Sequence, residues 1–377
     1  MRILIAPDSF KDCLSARQVA VAISQGMKKI YPVADYQIAP MADGGEGTVE
    51  SLIDATGGKL VRIPVKDPLM REITSFYGIT GDGNTAVIEM AAASGIELLT
   101  AGERDPWVTS TYGTGQLISH ALDQGCRKIL LGIGGSATND CGAGMAEALG
   151  IRFTDDAGTL VVPGGGALSS VVKIHMEDLD PRITNTEIQV ACDVSNPLTG
   201  TEGASCVYGP QKGADPEMVK KLDNNLGHFA GIIHTQLGKE ISLVPGAGAA
   251  GGLGAGLMAF LGARLMKGFD MVAENVDLEE KIRNSDLVIT GEGKMDGQTR
   301  FGKTPFGVAK LAQQHGKPVI GIAGTVDEGA EELYGEGFHV IMPILEKPSD
   351  LEYAIKNAAI LLERSGERIA RMLRMKI

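Results

Sequence analysis

The feature of this sequence that most constrains its fold is a short apolar segment that runs directly into a glycine-rich polar loop. Lys128 to Leu131 is apolar in its interior and predicts a buried strand. The loop Gly132-Ile-Gly-Gly-Ser-Ala-Thr-Asn-Asp140 follows it, and Gly142 to Leu149 is predicted to form a helix. Such a loop exposes backbone N–H groups near the positive end of a helix dipole, which suits a phosphate or a carboxylate. A tight turn that needs glycine only for its backbone angles is the alternative.

The same step from strand to polar loop occurs twice at the start of the chain. Arg2 to Ala6 and Asp35 to Ala39 are predicted strands, and each ends in charged and small residues before a helical segment. In an open α/β sheet the ligand crevice lies outside the carboxyl ends of the strands. The residues that we therefore expect to face one site are Asp8, Lys11, Asp43 and Glu46.

The middle of the chain has a different pattern, which predicts a second domain. Lys59 to Val65, Ile73 to Ile79 and Thr85 to Met90 are short strands separated by turn signals, so antiparallel pairing is expected. A chain of 377 residues is also too long for one ordinary core. We expect an α/β fold with a mostly parallel, Rossmann- or flavodoxin-like three-layer domain (about 1–60, 105–150 and 266–377). A smaller inserted α/β domain (about 61–104 and 151–265) would complete the chain, with the active site in the cleft between the two.

Composition excludes several classes of partner. The net charge of −12 leaves no basic face for nucleic acid. No apolar window is long enough for a membrane span, and the apolar run at Met1 to Pro7 is too short for a secretory signal. The five cysteines are scattered without C-x-x-C spacing, so neither a disulfide framework nor a zinc site is indicated. We expect a cytoplasmic protein, and the sequence leaves open whether it is a homo-oligomer.

Two literal nucleotide-binding patterns occur in the second half of the chain. Gly246 to Gly251 matches G-x-G-x-x-G between the apolar run Ile241 to Val244 and a small-residue helix, Leu253 to Leu265. The segment around Asp270 is a poor second strand, so nucleotide phosphate binding is favoured over NAD binding, and close helix packing is the alternative.

The second pattern, Gly297 to Thr304, matches the P-loop spacing G-x-x-x-x-G-K-T. Six residues separate it from the predicted strand Leu287 to Thr290, and Pro305 follows it, so a true P-loop is disfavoured. Lys303 is still expected to be a phosphate-facing cation at a helix start. A solvated lysine is the alternative.

Carboxylates just past predicted strands indicate the reaction class. They are Asp8, Asp43, Asp140, Asp193, Glu292 and Asp296. Carboxylates beside glycine-rich loops and lysines are typical of phosphoryl-transfer sites, because Mg²⁺ needs carboxylate oxygens and the acceptor hydroxyl needs a base. Surface solvation is the alternative for each of them. The six histidines have no spacing that favours a hydrolytic triad.

Several segments, in order and over nearly the whole chain, resemble the bacterial type I glycerate kinase family. They are Ala6-Pro-Asp-Ser-Phe-Lys11, Pro40-Met-Ala-Asp-Gly-Gly-Glu-Gly-Thr48, Gly132 to Asp140, Ala191-Cys-Asp-Val194, Asn196-Pro-Leu198, Gly209-Pro-Gln-Lys-Gly-Ala214, Pro245 to Gly254 and Ile289-Thr-Gly-Glu-Gly293. The resemblance implies ATP-dependent phosphorylation of D-glycerate to 2-phosphoglycerate by a two-domain α/β enzyme that is not a P-loop NTPase. Asp12 and Cys141 stand where the family more often has glycine, and neither is a group that we assign to chemistry.

Roles within the site are hypotheses built on the loops. Asp193 is our candidate for the base, with Asp43 or Asp296 next, and Lys11 or Lys212 would neutralise the substrate carboxylate or the transferring phosphoryl group. The residues expected to bind ATP are Gly134, Gly135, Ser136, Thr138, Gly248, Gly251, Gly252 and Lys303. Those expected to bind D-glycerate are Asp8, Ser9, Asn139 and Asn196, and those expected to bind Mg²⁺ are Asp296, Glu292 and Asp140. A nicotinamide-dependent oxidoreductase and a non-catalytic nucleotide sensor are the competing interpretations.

Overall fold

The computed structural model describes residues 1–11, 13–45, 47–162, 164–300 and 303–375. Glu46, which we expected to face the site, lies outside the described residues. So do Asp12, one of the departures from the family pattern, and the part of the P-loop-like match at residues 301 and 302.

The strands predicted above are all present, and the structure adds further ones among the described residues. They are β1 (Arg2–Ile5), β2 (Asp35–Ile38), β3 (Lys59–Lys66), β4 (Glu72–Ile79), β5 (Thr85–Glu89), β6 (Lys128–Gly132), β7 (Arg152–Thr154), β8 (Lys173–His175), β9 (Glu187–Ala191), β10 (Arg264–Met266), β11 (Leu287–Met295), β12 (Val319–Val326) and β13 (Val340–Pro343).

The described helices lie between these strands and after the last of them. They are α1 (Ala16–Lys28), α2 (Thr48–Thr56), α3 (Ala91–Ser94), α4 (Tyr112–Asp123), α5 (Ala143–Ala148), α6 (Ala204–Tyr208), α7 (Pro216–Leu237), α8 (Ala249–Leu261), α9 (Gly268–Asn275), α10 (Leu278–Arg283), α11 (Thr304–Gln314) and α12 (Leu351–Leu373). Short 3₁₀ helices lie at Ile96–Leu98, Ala101–Glu103, Ala167–Ser170, Pro181–Asn185, Pro210–Lys212 and Ala330–Glu336. None of the helices in the described part of the chain has the length and apolar character that a membrane span requires.

The chain divides into two compact units. Unit 1 comprises residues 1–43, 50–57 and 272–377, and unit 2 comprises residues 44–49 and 58–271. The expected α/β fold with two domains and mostly parallel strands is confirmed.

Unit 1 contains a parallel sheet whose strands stand in the order β13-β12-β11-β1-β2. From β1 the chain continues to β2 on one side and returns to β11 on the other, so the strand order reverses between β1 and β11. This order is the flavodoxin-like one, in which ligands bind at the reversal point. Helix α1 begins at a capping box made by Ser15 and Gln18.

Glycines let two helices of unit 1 pack closely. A Cβ at Gly26 of α1 would lie 1.8 Å from the Glu363 carbonyl oxygen of α12, and one at Gly366 would lie 2.2 Å from the Ile23 carbonyl oxygen. The core beside them includes Ile3 and Leu362, both fully buried.

Unit 2 is built on a mixed sheet in the order β10-β9-β6-β5-β4-β3. Strands β5, β6, β9 and β10 are parallel, whereas β3, β4 and β5 pair antiparallel, as the turn signals predicted. Phe153, Phe229 and Phe260 meet in the core at centroid distances of 5.4 to 6.1 Å.

Two local expectations differ from the structure. Residues 105–150 belong to unit 2, not to the Rossmann-like unit, because β6 is hydrogen-bonded between β5 and β9. The apolar run Ile241 to Val244, which precedes the G-x-G-x-x-G match, forms no strand. Helix α8 also begins earlier than predicted and carries left-handed residues from Ala250 to Gly252 in its first turns.

Candidate active site

A cavity of about 420 Å³ opens in unit 1 beside the carboxyl-terminal parts of β1, β11 and β12. It lies at the point where the strand order reverses, which is the usual ligand position in this topology. The polar residues that line it are Asp8, Ser9, Lys11, Asp43, Glu292, Lys294, Lys303 and Thr325. The structure therefore brings together six of the predicted site residues from four separate segments of the chain.

Asp8 is held at the cavity by the loop that follows β1. Its backbone N–H donates to the Gly291 carbonyl oxygen at 2.8 Å, and its Oδ1 accepts from the Ser9 backbone N–H at 2.6 Å. Burial raises the pKa of the Asp8 carboxyl and the charge of Asp43 raises it further, while Thr304, the Ser9 N–H and Lys11 act in the opposite direction. The carboxyl thus stands in an environment that disfavours an uncompensated negative charge.

Glu292 has the most strongly shifted carboxyl of this cavity. Burial raises the pKa of Glu292 to about 7, and the charge of Asp8 adds to the rise. Two neighbours limit this rise in the pKa. Lys303 Nζ lies 3.2 Å from Oε2, and the Thr299 hydroxyl donates to Oε1 at 2.9 Å. A carboxyl with a pKa near neutrality in a cleft is typical of functional sites, because it can accept and release a proton at physiological pH.

Asp296 lies close by in the chain but does not line this cavity. Its Oδ1 accepts from the Gln298 backbone N–H at 2.9 Å, and Lys294 Nζ stands 3.3 Å from Oδ2. Burial alone would raise the pKa of Asp296, but the Gln298 N–H and the lysine charges outweigh it and lower the pKa. These contacts give Asp296 a role in the turn after β11.

The remaining wall of the unit 1 cavity is apolar, and sequence reasoning missed it. It is formed by Phe10, Cys13, Ile344, Leu351, Ala354, Ile355 and Ala358. Most of these residues come from the first two turns of α12, where the sequence shows only the amphipathic pattern of a surface helix. Thr299 was missed as well, because only its contact with Glu292 reveals it.

In unit 2, Lys212 holds the glycine-rich loop from the inside. Its side chain is buried, with 2% exposed, and Nζ donates to Ser136 Oγ at 2.6 Å and to the Thr138 carbonyl oxygen at 2.7 Å. Burial lowers the pKa of Lys212 to about 7, against the opposing charge of Asp140. Lys212 therefore fixes the conformation of the loop, and these two hydrogen bonds explain a lysine at this position on structural grounds alone.

Asp140 is fully buried, and its carboxylate accepts hydrogen bonds mainly from backbone N–H groups. Its carboxylate accepts from the Thr111 N–H and hydroxyl, each at 2.8 Å, and from the N–H groups of Gly142 at 3.1 Å and Gly144 at 3.2 Å. Burial raises the pKa of Asp140, and these bonds oppose the rise. The donors lie around the starts of α4 and α5, so the contacts are those of a residue that caps two helices.

Gly248 and Gly251 of the G-x-G-x-x-G match, and Gly252 directly after it, each have a packing reason. A Cβ would lie 2.2 Å from the Pro197 carbonyl oxygen at Gly248, 1.9 Å from the Thr138 carbonyl oxygen at Gly251, and 2.9 Å from the Leu198 side chain at Gly252. All three glycines are buried. The segment thus lets α8 approach the loops after β6 and β9, which is the packing alternative stated above.

The loop after β9 carries Asp193 and Asn196. Asp193 is exposed, and its Oδ1 accepts from the Gly268 backbone N–H at 3.1 Å. Asn196 is half-buried, donates to the Glu202 carbonyl oxygen at 2.8 Å and accepts from the Tyr208 hydroxyl at 2.7 Å. Asn139 is fully buried and donates to Ser205 Oγ at 3.0 Å.

Unit 2 has its own cavity, of about 630 Å³, which two of the predicted glycines line. Gly134 and Gly135 are both exposed there, and a Cβ at Gly134 would meet no atom within 4 Å. Glu89 at the end of β5 and Phe76 of β4 also line it. The cavity has no lysine or arginine among its described lining residues, so it lacks the cations of the unit 1 cavity.

A divalent cation would fit the unit 1 cavity. Among the described residues no group of three or more His, Cys, Asp or Glu side chains is arranged to hold a metal by itself. Mg²⁺ at phosphate sites commonly takes one or two carboxylates and completes its shell with water and phosphate oxygens. Asp8 and Glu292 fit this need, because carboxyl groups of like charge lie near each of them. The charge of Asp43 raises the pKa of Asp8, and the charge of Asp8 raises the pKa of Glu292. Of the three residues predicted to bind Mg²⁺, only Glu292 lines this cavity.

Comparison with known proteins gives one consistent result. Residues 3–374 match the model of the glycerate kinase family. The chain is 50% identical to glycerate kinase of Bacillus subtilis (strain 168), over 100% of this chain and 98% of that protein. It is 49% identical to glycerate 2-kinase of Escherichia coli (strain K12), over 99% and 98% of the two chains. A crystal structure of a candidate glycerate kinase 2 from Salmonella typhimurium LT2 superposes with a TM-score of 0.92 at 48% identity, over 99% of this chain and 98% of that one.

Proposed function

Because the chain belongs to the glycerate kinase family and is a kinase, we propose that it transfers the γ-phosphoryl group of ATP to D-glycerate and forms 2-phospho-D-glycerate and ADP. The observation that carries this proposal is the unit 1 cavity, where lysines and carboxylates from four chain segments converge. The 2-hydroxyl is proposed as acceptor because the Escherichia coli relative is named a glycerate 2-kinase. The cytoplasmic location stays a prediction.

The charges of the cavity suit two anionic reactants. Lys11, Lys294 and Lys303 line it, and a phosphoryl group or the glycerate carboxylate needs such cations close by. Lys303 is best placed among them, since it pairs with Glu292 inside the cavity. A cation held at the position where negative charge develops lowers the barrier of phosphoryl transfer.

Mg²⁺, held by Asp8 and Glu292, would supply charge neutralisation at the phosphate oxygens. The protein groups do the rest of the work: the lysines bind and orient the anions, and the loop after β1 fixes Asp8.

Two carboxylates compete for the role of base. Asp193 is our candidate from the sequence, and its bond from the Gly268 N–H holds it at the end of β9. Glu292 has a pKa of about 7, which suits a group that accepts the hydroxyl proton near neutral pH. The substitutions Asp193→Asn and Glu292→Gln distinguish the two candidates. Substitution of the residue that acts as the base should lower kcat by about 100-fold or more, and substitution of the other residue should affect mainly KM.

Product analysis tests the function as a whole. The protein is incubated with Mg²⁺, ATP and D-glycerate, ADP release is followed, and the phosphorylated carbon is identified by NMR. The proposal predicts ADP release that depends on D-glycerate, with the phosphate on carbon 2. Phosphate on carbon 3 would contradict the regiochemistry, and ADP release that ignores D-glycerate would contradict the substrate.

The NAD alternative has lost its support. The G-x-G-x-x-G match that suggested it consists of buried glycines packed against the Thr138 and Pro197 backbone, and the chain belongs to a kinase family. A thermal-shift titration with ATP and with NAD checks this point.

A further inference from the structure

We propose that the apolar half of the unit 1 cavity is the subsite for the nucleoside of the phosphoryl donor, with the adenine base lying against the first two turns of α12. This inference rests on the proposed kinase function and assigns part of the same cavity. We call this wall the α12 wall; it is formed by Ile344, Leu351, Ala354, Ile355 and Ala358.

The chemistry of the two substrates decides which of them the α12 wall can take. Every carbon of glycerate carries oxygen, so glycerate offers no apolar face. Adenosine has a flat aromatic base, and the transfer of this base from water onto aliphatic side chains is favourable. A wall of aliphatic side chains in the same cavity as three lysines therefore matches a nucleotide, with the base at one end and the phosphates at the other.

The exposure of the wall residues indicates an uncovered surface. Ile344 and Ala358 are each 2% exposed, whereas Leu351 is 74% and Ile355 is 40% exposed. Leu351 and Ile355 are four residues apart on α12, so they present one continuous apolar patch at the cavity. A base lying on this patch would cover both side chains.

Charge places the phosphate end of the nucleotide in the same cavity. Lys11 follows β1, and Lys303 is the residue before the first turn of α11, where backbone N–H groups of the helix start add positive potential. Gly293, between Glu292 and Lys294, leaves open backbone at this end: a Cβ there would meet only the Phe10 Cα, at 3.9 Å. The cavity thus changes from apolar at α12 to cationic at β1 and β11.

The unit 2 cavity is the competing location for the base. It has apolar side chains such as Phe76 and Ile96, and exposed backbone at Gly134. Its charged side chains are Glu89 and Glu97, which would repel a triphosphate. The unit 1 cavity is therefore the better match for a nucleotide, and the unit 2 assignment becomes an outcome of the test.

The test fills the α12 wall and leaves the cationic end intact. Ile355→Trp puts a large side chain into the apolar half, and Ile360→Trp is the matched control, because Ile360 is on the same helix, is 48% exposed and does not line the cavity. Ala354→Met fills the same space from a neighbouring position and guards against a folding defect in one variant. Titration calorimetry then gives Kd for ADP and, as a probe without a nucleoside, for inorganic tripolyphosphate.

The expected result is a Kd for ADP that rises about tenfold or more in Ile355→Trp and in Ala354→Met. The Kd for tripolyphosphate and the KM for D-glycerate should stay within about twofold of the parent, and Ile360→Trp should match the parent throughout. An unchanged Kd for ADP in both cavity variants would overturn the inference and move the base to the unit 2 cavity. An equal loss of tripolyphosphate binding would also overturn it.

Failure of the kinase proposal has a different signature. It would show as a parent protein that releases no D-glycerate-dependent ADP, whereas the ADP titrations report on the subsite independently of turnover.

Discussion

At the scale of single residues, the protonation of Glu292 is set by its immediate neighbours. Burial raises the pKa of Glu292 to about 7, and the Thr299 hydroxyl, itself fully buried, lowers it through the bond to Oε1. Thr299 also accepts from the Asp296 backbone N–H at 3.1 Å, so its own position is fixed. We therefore infer that Thr299 is a positioning residue for Glu292.

Removing this hydroxyl should shift the pH dependence of the reaction. Ionised Glu292 is the form that can accept a proton or hold a cation, so we expect activity to rise with pH through about 7. Thr299→Val removes a bond that favours the ionised form, raises the pKa, moves the acid limb of kcat to higher pH and lowers kcat at pH 6 by about threefold or more. Thr299→Ser keeps the hydroxyl and should retain the parent profile. Identical profiles for all three proteins would show that Glu292 is not needed in its ionised form.

Asp140 illustrates a residue whose importance is structural. Asp140→Asn replaces one acceptor oxygen by a donor that faces backbone N–H groups in a fully buried position. We expect the free energy of unfolding to fall by about 2–4 kcal/mol, measured by urea denaturation. Asp155→Asn is the control, because Asp155 accepts from the Ala157 and Thr159 N–H groups in an exposed turn and should tolerate the change. Equal stability of the two variants would contradict this role.

At the scale of elements, α8 shows why a motif match can mislead. The start of this helix has left-handed residues, and Gly251 with φ of +68° lies against the Thr138 backbone. A sequence pattern records the glycines but not whether they face a ligand or another segment of the chain. The short apolar run Ile241 to Val244 was equally ambiguous, because strand and turn both accommodate four such residues.

A pair of glycine variants on α8 separates packing from backbone strain. Gly251→Ala adds a Cβ 1.9 Å from the Thr138 carbonyl oxygen and should destabilise the protein by about 3 kcal/mol or more. Gly262, at the end of α8, has nearly the same φ of +67° but open space around it, so Gly262→Ala should cost about 1 kcal/mol. Thermal and urea unfolding measure both. Similar losses in the two variants would mean that Gly251 is required only for its backbone angles.

Helices and strands with a clear local signal were predictable from the sequence. The capping box of Ser15, the strand β6 and the carboxyl ends of β1 and β11 all have residue patterns that act over a few positions. The rule that ligands collect at strand ends accordingly predicted Asp8, Lys11, Asp43 and Glu292 as site residues, and all four line one cavity. Ile355 and Thr299 had no such signal, because their relevance depends on which distant segment packs beside them.

At the scale of the whole molecule, the division into units depends on long-range strand pairing. Unit 1 combines β1 and β2 from the start of the chain with β11, β12 and β13 from its end. Residues 105–150 alternate strand and helix as unit 1 does, so periodicity alone could not assign them. Their place in unit 2 follows from the register of β6 between β5 and β9, which no local pattern encodes.

The central claim is that phosphoryl transfer takes place at the polar end of the unit 1 cavity, and one pair of lysine variants tests it most directly. Lys303 lines the cavity beside Glu292, whereas Lys310 lies on α11 and pairs with Glu336; their side chains are similarly exposed, at 37% and 39%. D-glycerate-dependent ADP release is measured for Lys303→Met, Lys310→Met and the parent protein. We predict that kcat/KM falls by about 100-fold or more in Lys303→Met and stays at the parent value in Lys310→Met. A Lys303→Met protein as active as the parent would contradict the account.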